Sequence, residues 1–137
     1  MSAIFNPAIV HSYSATKTTD QSTTSSAFSD VTGTSITFTK AGDANTTNIL
    51  VLYSGPAVVV ANTLLMTFNM DAVDGSTLAT SSLTSNITMT FLSLYTSLAA
   101  GSHTVKARFR NNDNVSSVSI NGSSVANASI VALEVMK

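Results

Sequence analysis

Cysteine and tryptophan are absent from the chain, and glutamate occurs only at Glu134. Without cysteine there is no disulfide and no thiolate metal site, and the chain tolerates either redox compartment. A lone glutamate cannot form a paired-glutamate acid–base centre. Charged side chains make up only 9% of the sequence, against about 25% in ordinary soluble domains. The net charge is −1, so no broad basic field exists to hold nucleic acid by its phosphates. No apolar run is long enough to span a bilayer, because the longest, PAVVVANTLLMTF, is interrupted by Asn62 and Thr63. The N-terminus, MSAIFNPAIV, has no basic segment and no long apolar segment, and does not read as a secretory signal.

Hydroxyl and amide side chains stand where the charges are missing. The 137 residues include 22 Ser, 20 Thr and 11 Asn, while 44% of the chain is apolar. That is enough apolar matter for one domain with a real core. A surface wetted by hydroxyls and amides is weakly hydrated and lies against another protein at little desolvation cost. It also lacks the lysines that keep sheet proteins apart. The composition points to a protein that lives in an assembly.

The apolar residues recur every second position, the period of a strand. Ile36 and Phe38 alternate with Ser35, Thr37 and Thr39; Leu64, Met66, Phe68 and Met70 share a face, as do Val118 and Ile120. The run NILVLY predicts a strand buried on both faces. In NITMTFLSLY, Ile87, Met89 and Phe91 share one face, and the phase change at Leu92 and Leu94 predicts a bulge or bend. Turn residues in KAGDAN, SGPA, DAVDGST, AAGS, NNDN and NGSS separate the runs. The expectation is all-β: a jelly-roll β-sandwich of about eight antiparallel strands, with an immunoglobulin-like sandwich as the next choice. Residues 1–26 are rich in Ser and Thr and read as an extended N-terminal arm before a β-sandwich domain over 27–137. Phe5, Ile9 and Tyr13 are apolar anchors that need something to pack against.

No catalytic constellation emerges. The chain has two histidines, His11 and His103, and no G-x-S-x-G elbow, phosphate loop or H-E-x-x-H motif. Asp71 with Asp74, and Asn111 to Asn114, supply hard oxygens of the kind Ca²⁺ uses. The same residues are what tight turns need, so no metal and no cofactor is expected. One polar feature stands out. Between His103 and Arg110, Val105, Ala107 and Phe109 face one way while Lys106, Arg108 and Arg110 face the other. Half of the six Lys and Arg therefore lie in one row on one strand. The row is either a solvent-facing stripe or a docking rail for a partner's carboxylates. With Phe5, Ile9 and Tyr13, these three cations are the candidate partner contacts.

The segment LAAGSHTVKARFR, followed by VSSVSINGSS and ASIVALEVMK, resembles the C-terminal half of small jelly-roll domains of tailed-phage virion proteins, which are C1q- and tumour-necrosis-factor-like. Leu98, Gly101, His103, Thr104 and Val105 carry the resemblance, with a looser match at Leu133, Glu134 and Val135. It implies a non-enzymatic structural or binding module, usually a homotrimer. The expected role is a virion structural protein, foremost a capsid decoration (cement) protein. It would assemble in the host cytoplasm with capsid or other virion proteins, without nucleic acid or membrane as partner. The alternative is a receptor- or glycan-binding tip of a tail fibre or other adhesin, using loops 71–77 and 111–114. Against it stands the scarcity of rings on which sugars stack: no Trp and three Tyr.

Overall fold

The two-residue alternation becomes eleven strands in a computed structural model that describes residues 9–59, 63–81, 86–120 and 127–137. They are β1 (Ile9–Lys17), β2 (Gln21–Thr23), β3 (Ser29–Lys40), β4 (Thr47–Val59), β5 (Leu64–Met70), β6 (Val73–Asp74), β7 (Ala79–Ser81), β8 (Asn86–Tyr95), β9 (Gly101–Asn111), β10 (Val118–Ile120) and β11 (Ala128–Met136). No helix occurs among the described residues.

Every pairing is antiparallel. Strands β10 and β11 lie end to end along one edge of β4, Ile120 opposite Ala57 and Ser129 opposite Ser54. Strands β2 and β1 continue beside them in the same way. The other edge of β4 takes β8, which completes the larger sheet. In the smaller sheet β3, β9 and β5 lie side by side, and β6 and β7 share the far edge of β5. Each sheet is therefore four strand positions wide. The first position pairs with the last, the second with the next to last, and so inward to a central hairpin. The chain is one long antiparallel ribbon rolled onto itself, which is the jelly-roll order.

The core lies between the sheets. Ile49, Val51, Ala57 and Val59 of β4 meet Leu64, Met66 and Phe68 of β5 and Val105, Ala107 and Phe109 of β9, all at most 1% exposed. Phe91 packs on both Phe68 and Tyr53, at ring-centroid distances of 4.7 and 5.0 Å. Gly55 stands in the middle of β4 because the sheet is crowded there. A Cβ at that position would sit 2.5 Å from the Cβ of Ala128 and 2.8 Å from the Tyr53 hydroxyl.

Two expectations of strand detail are corrected. NILVLY is not buried on both faces: Ile49, Val51 and Tyr53 point inward, while Leu50 and Leu52 face outward and are only half-buried. The phase change in β8 is not a bulge either. Its register with β4 runs unbroken from Asn86 to Tyr95, and Leu92 and Leu94 simply point outward. Both departures have one cause, an aliphatic patch on the outer surface of the larger sheet.

The stretch expected as an arm contains β1 and β2, both hydrogen-bonded into the larger sheet of their own chain. Tyr13 packs its ring 5.6 Å from that of Phe38 and donates its hydroxyl hydrogen to the Thr39 carbonyl at 3.0 Å. It thereby ties the edge of one sheet to the other. Phe5 lies outside the described residues.

Candidate interaction surface

The outer face of the larger sheet is built by register. Leu133, Leu50 and Leu94 stand in one row across β11, β4 and β8. Val131, Leu52 and Leu92 form the next row. Ile9 pairs with Val135 at the corner, and its side chain is 56% exposed. Leu92 and Leu94 are 58% and 51% exposed. Beyond these rows the face turns to hydroxyls: Ser54 of β4 and Thr90 of β8 bond side chain to side chain at 3.1 Å. Among the described residues, no Asp, Glu, Lys, Arg or His occupies an outward position of β4, β8 or β11. Contiguous exposed aliphatic rows on a sheet mark a contact surface more often than chance exposure.

The smaller sheet is the opposite. The row Lys106, Arg108 and Arg110 projects outward from β9 as the alternation required, but its partners come from the same chain. Lys106 Nζ lies 2.6 Å from Asp30 Oδ2. Arg108 reaches Asp30 at 2.9 Å and Asp74 at 2.5 Å, and also donates to the Phe28 carbonyl. Arg110 donates to the Ser26 carbonyl at 3.1 Å, with its guanidinium 5.1 Å above the Phe28 ring. Residues 26–30, entering β3, thus strap across the row, and the carboxylates of Asp30 and of Asp74 in β6 pair with Lys106 and Arg108. The hydrogen bond to Asp74 holds the Arg108 guanidinium above its ordinary range, although burial works the other way. Burial raises the Asp74 carboxyl, but the bonds from Arg108 and Asn69 outweigh it and leave the group below the usual carboxylate range.

The charges here are partly exposed, 30% for Lys106, 22% for Arg108 and 47% for Asp30. Solvent screening therefore keeps their worth modest. Changing Lys106, Arg108 and Arg110 together to Ser is expected to lower stability by about 1–2 kcal/mol, with added salt narrowing the gap to the parent. Urea midpoints at low and high salt measure this. A triple variant as stable as the parent at low salt would show that the strap contributes nothing.

The remaining candidate groups are also engaged within the chain. Asp71 and Ala72 form the two-residue turn between β5 and β6, both with positive φ, 51° and 68°. Asp71 accepts the Thr104 N–H at 2.8 Å and faces His103 Nδ1 at 2.6 Å. The other ring nitrogen of His103 lies 2.9 Å from the Ala99 carbonyl. Both neighbours are acceptors, so the imidazolium satisfies both and clamps two loops to β9. Burial alone would lower this histidine, but the bonds to Asp71 and Ala99 hold it above its ordinary 6.5. Asp113 accepts the N–H groups of Val115 and Ser116 at 2.9 and 3.1 Å. Among the described residues, no cluster of three or more His, Cys, Asp or Glu is placed to hold a metal ion.

Glu134 is the functional-looking group that residue patterning missed. It is fully buried at the inner end of β11. Its Oε1 accepts from Gly42 N–H at 2.8 Å and Thr47 Oγ1 at 2.7 Å. Its Oε2 accepts from Ala41 N–H at 3.0 Å and faces His11 Nδ1 at 3.3 Å. Every partner holds the β3–β4 turn or β1 in place, so the role is architectural. The one signal in the sequence was a lone glutamate in a mostly apolar strand.

No protein-family model matches the chain, and no curated protein matches it. Solved structures do. The PRD1 vertex protein P5 is similar with a TM-score of 0.52 at 15% sequence identity, over 93% of this chain and 98% of that one. Weaker likenesses include the CBM36-1 domain of a multidomain xylanase from the hindgut metagenome of Trinervitermes trinervoides, with a TM-score of 0.45 at 11% identity over 88% of this chain and 96% of that one. A structure of infectious bursal disease virus, Gx strain, gives a TM-score of 0.36 at 14% identity, over 92% of this chain and 39% of that one. At such identities the likeness speaks for fold alone, and it agrees with the strand order: the chain is an all-β jelly roll.

Proposed function

We propose that this chain is a non-enzymatic virion structural protein, a capsid decoration (cement) protein that acts as a self-associated oligomer on the outside of the particle. The observation that carries this reading is the uncharged aliphatic face on the outside of a jelly roll in which Asp30, Asp71, Asp74, His103, Lys106, Arg108 and Glu134 hold the chain's own loops and edges. Such a molecule has a surface to dock. The end-to-end likeness to a viral vertex protein supports the same reading. A glycan-binding tip is less well supported, because none of the large hydrophobic side chains exposed among the described residues is aromatic. Cementing works by repetition: many small contacts on one particle add into tight attachment.

Copy number tests this. Quantitative mass spectrometry of purified particles is expected to find the chain in numbers comparable to the shell protein. A handful of copies per particle would make it a tip protein, and its absence would overturn the virion reading altogether.

A further inference from the structure

We propose that the uncharged outer face of the larger sheet is where copies of this chain meet, each covering the aliphatic rows of another; this rests on reading the chain as an assembly protein. Three observations single out a second copy as the occupant. The first is charge. A face with no ionisable side chain on β4, β8 or β11 offers nothing to select a charged partner, and it matches a face that is equally uncharged. Depletion of charge at the centre with a polar margin is the usual composition of a protein–protein contact. Here Leu50, Leu52, Leu92 and Leu94 are the centre, and Ser54 and Thr90 begin the margin.

The second observation is size. Four strands at about 4.8 Å spacing, along a strand as long as β4 at ~3.3 Å per residue, give a face on the order of 800 Å². That is about what each partner contributes to a contact of standard size. The third is shape. The face is an antiparallel sheet whose β4–β8 register has no bulge. Two such sheets stack with interdigitating side chains, as the two sheets of this domain already do on their inner sides. The other broad face is closed to such stacking, because the strap through Ser26, Phe28 and Asp30 crosses it.

The test compares the full chain with a Leu92→Lys, Leu94→Lys double variant by light scattering behind a sizing column. Both side chains are more than half exposed, so the variant is expected to keep the parent's far-ultraviolet dichroism and thermal midpoint. The expected result is a multiple of 14.2 kDa for the parent and a single-chain mass for the variant. A Leu92→Ser, Leu94→Ser variant, which adds no charge, should shift the same equilibrium to higher concentration. A lysine variant that folds and keeps the parent's mass would overturn the inference. So would a parent that is monomeric at every concentration yet coats particles, which would leave the virion role standing with the shell as the occupant. Conversely, a parent that self-associates through this face but is missing from particles would sink the virion reading alone.

Discussion

Replacing Glu134 by Ala is expected to cost about 2–4 kcal/mol, because it leaves the buried Thr47 hydroxyl and three part-buried donors without their acceptor. The carboxylate is fully buried and its two oxygens are shared among Ala41, Gly42, Thr47 and His11. Around it the β3–β4 connection is held by both polarities. Glu134 takes the N–H groups of the turn, while Lys40 Nζ donates to the carbonyls of Gly42 and, at 2.8 Å, Asp43. This turn carries the chain from one sheet to the other, so losing it loosens the roll at one end. The pH dependence has a definite sign. Burial pushes the Glu134 carboxyl up, but the bonds from Ala41, Gly42, Thr47 and His11 outweigh it and bring it to about 2, from an ordinary 4.5. A carboxyl depressed on folding contributes stability that is complete above its unfolded pKa and is lost as pH falls toward the folded one. Stability should therefore drop between pH 4.5 and about 2, by roughly 3 kcal/mol from this group. Glu134→Gln keeps the shape without the charge and should flatten that part of the curve. Urea unfolding across the acid range measures both effects. An Ala variant within about 1 kcal/mol of the parent would show that water replaces the carboxylate at no cost.

Strand periodicity was legible because a sandwich buries alternate residues. Val105, Ala107 and Phe109 are indeed fully buried, and Lys106, Arg108 and Arg110 indeed face away from them. What the alternation could not supply was the partners of that row. Asp30 lies 76 residues from Lys106 and Asp74 lies 34 from Arg108, and only the rolled ribbon brings them together. The outer aliphatic face was visible but misread. Leu50 and Leu52 looked like a doubly buried strand, and Leu92 and Leu94 like a break in phase. Hydrophobic pattern reports that water is to be excluded, not whether the same chain or another one excludes it. Glu134 was noticed only as an isolated carboxylate, because its partners are chiefly backbone N–H groups, which carry no sequence identity. Residues 9–17 were read as an arm for a related reason. From Ser12 onward the inward side of β1 carries Tyr13, Ala15 and Lys17 rather than a run of Val and Ile, and its outward side is Ser12, Ser14 and Thr16. An edge strand with so little aliphatic content has the composition of a loop.

Deleting residues 1–17 is therefore expected to abolish cooperative folding at room temperature, whereas deleting residues 1–8 removes none of the described strands. Strand β1 contributes a ladder along β11 from Ala128 to Val135. Without it, the N–H and C=O groups on that edge of β11 lose their partners, in a strand whose inner residues Ala128, Ile130 and Ala132 are fully buried. The Tyr13 ring leaves Phe38, the tie to the Thr39 carbonyl goes, and Glu134 loses His11. Lys17 goes as well, a residue 1% exposed whose Cα and Cβ lie beside Gly33. Against a total stability of about 5–15 kcal/mol for a domain, the sum of these losses is decisive. Thermal melts followed by circular dichroism read the outcome. The shorter deletion separates architecture from attachment: if Phe5 and its neighbours reach the shell, that variant melts like the parent yet no longer coats particles. A chain lacking residues 1–17 that still melts cooperatively near the parent's midpoint would mean that β1 is an accessory laid on a complete sandwich. Residues 1–17 would then belong to the arm expected over residues 1–26.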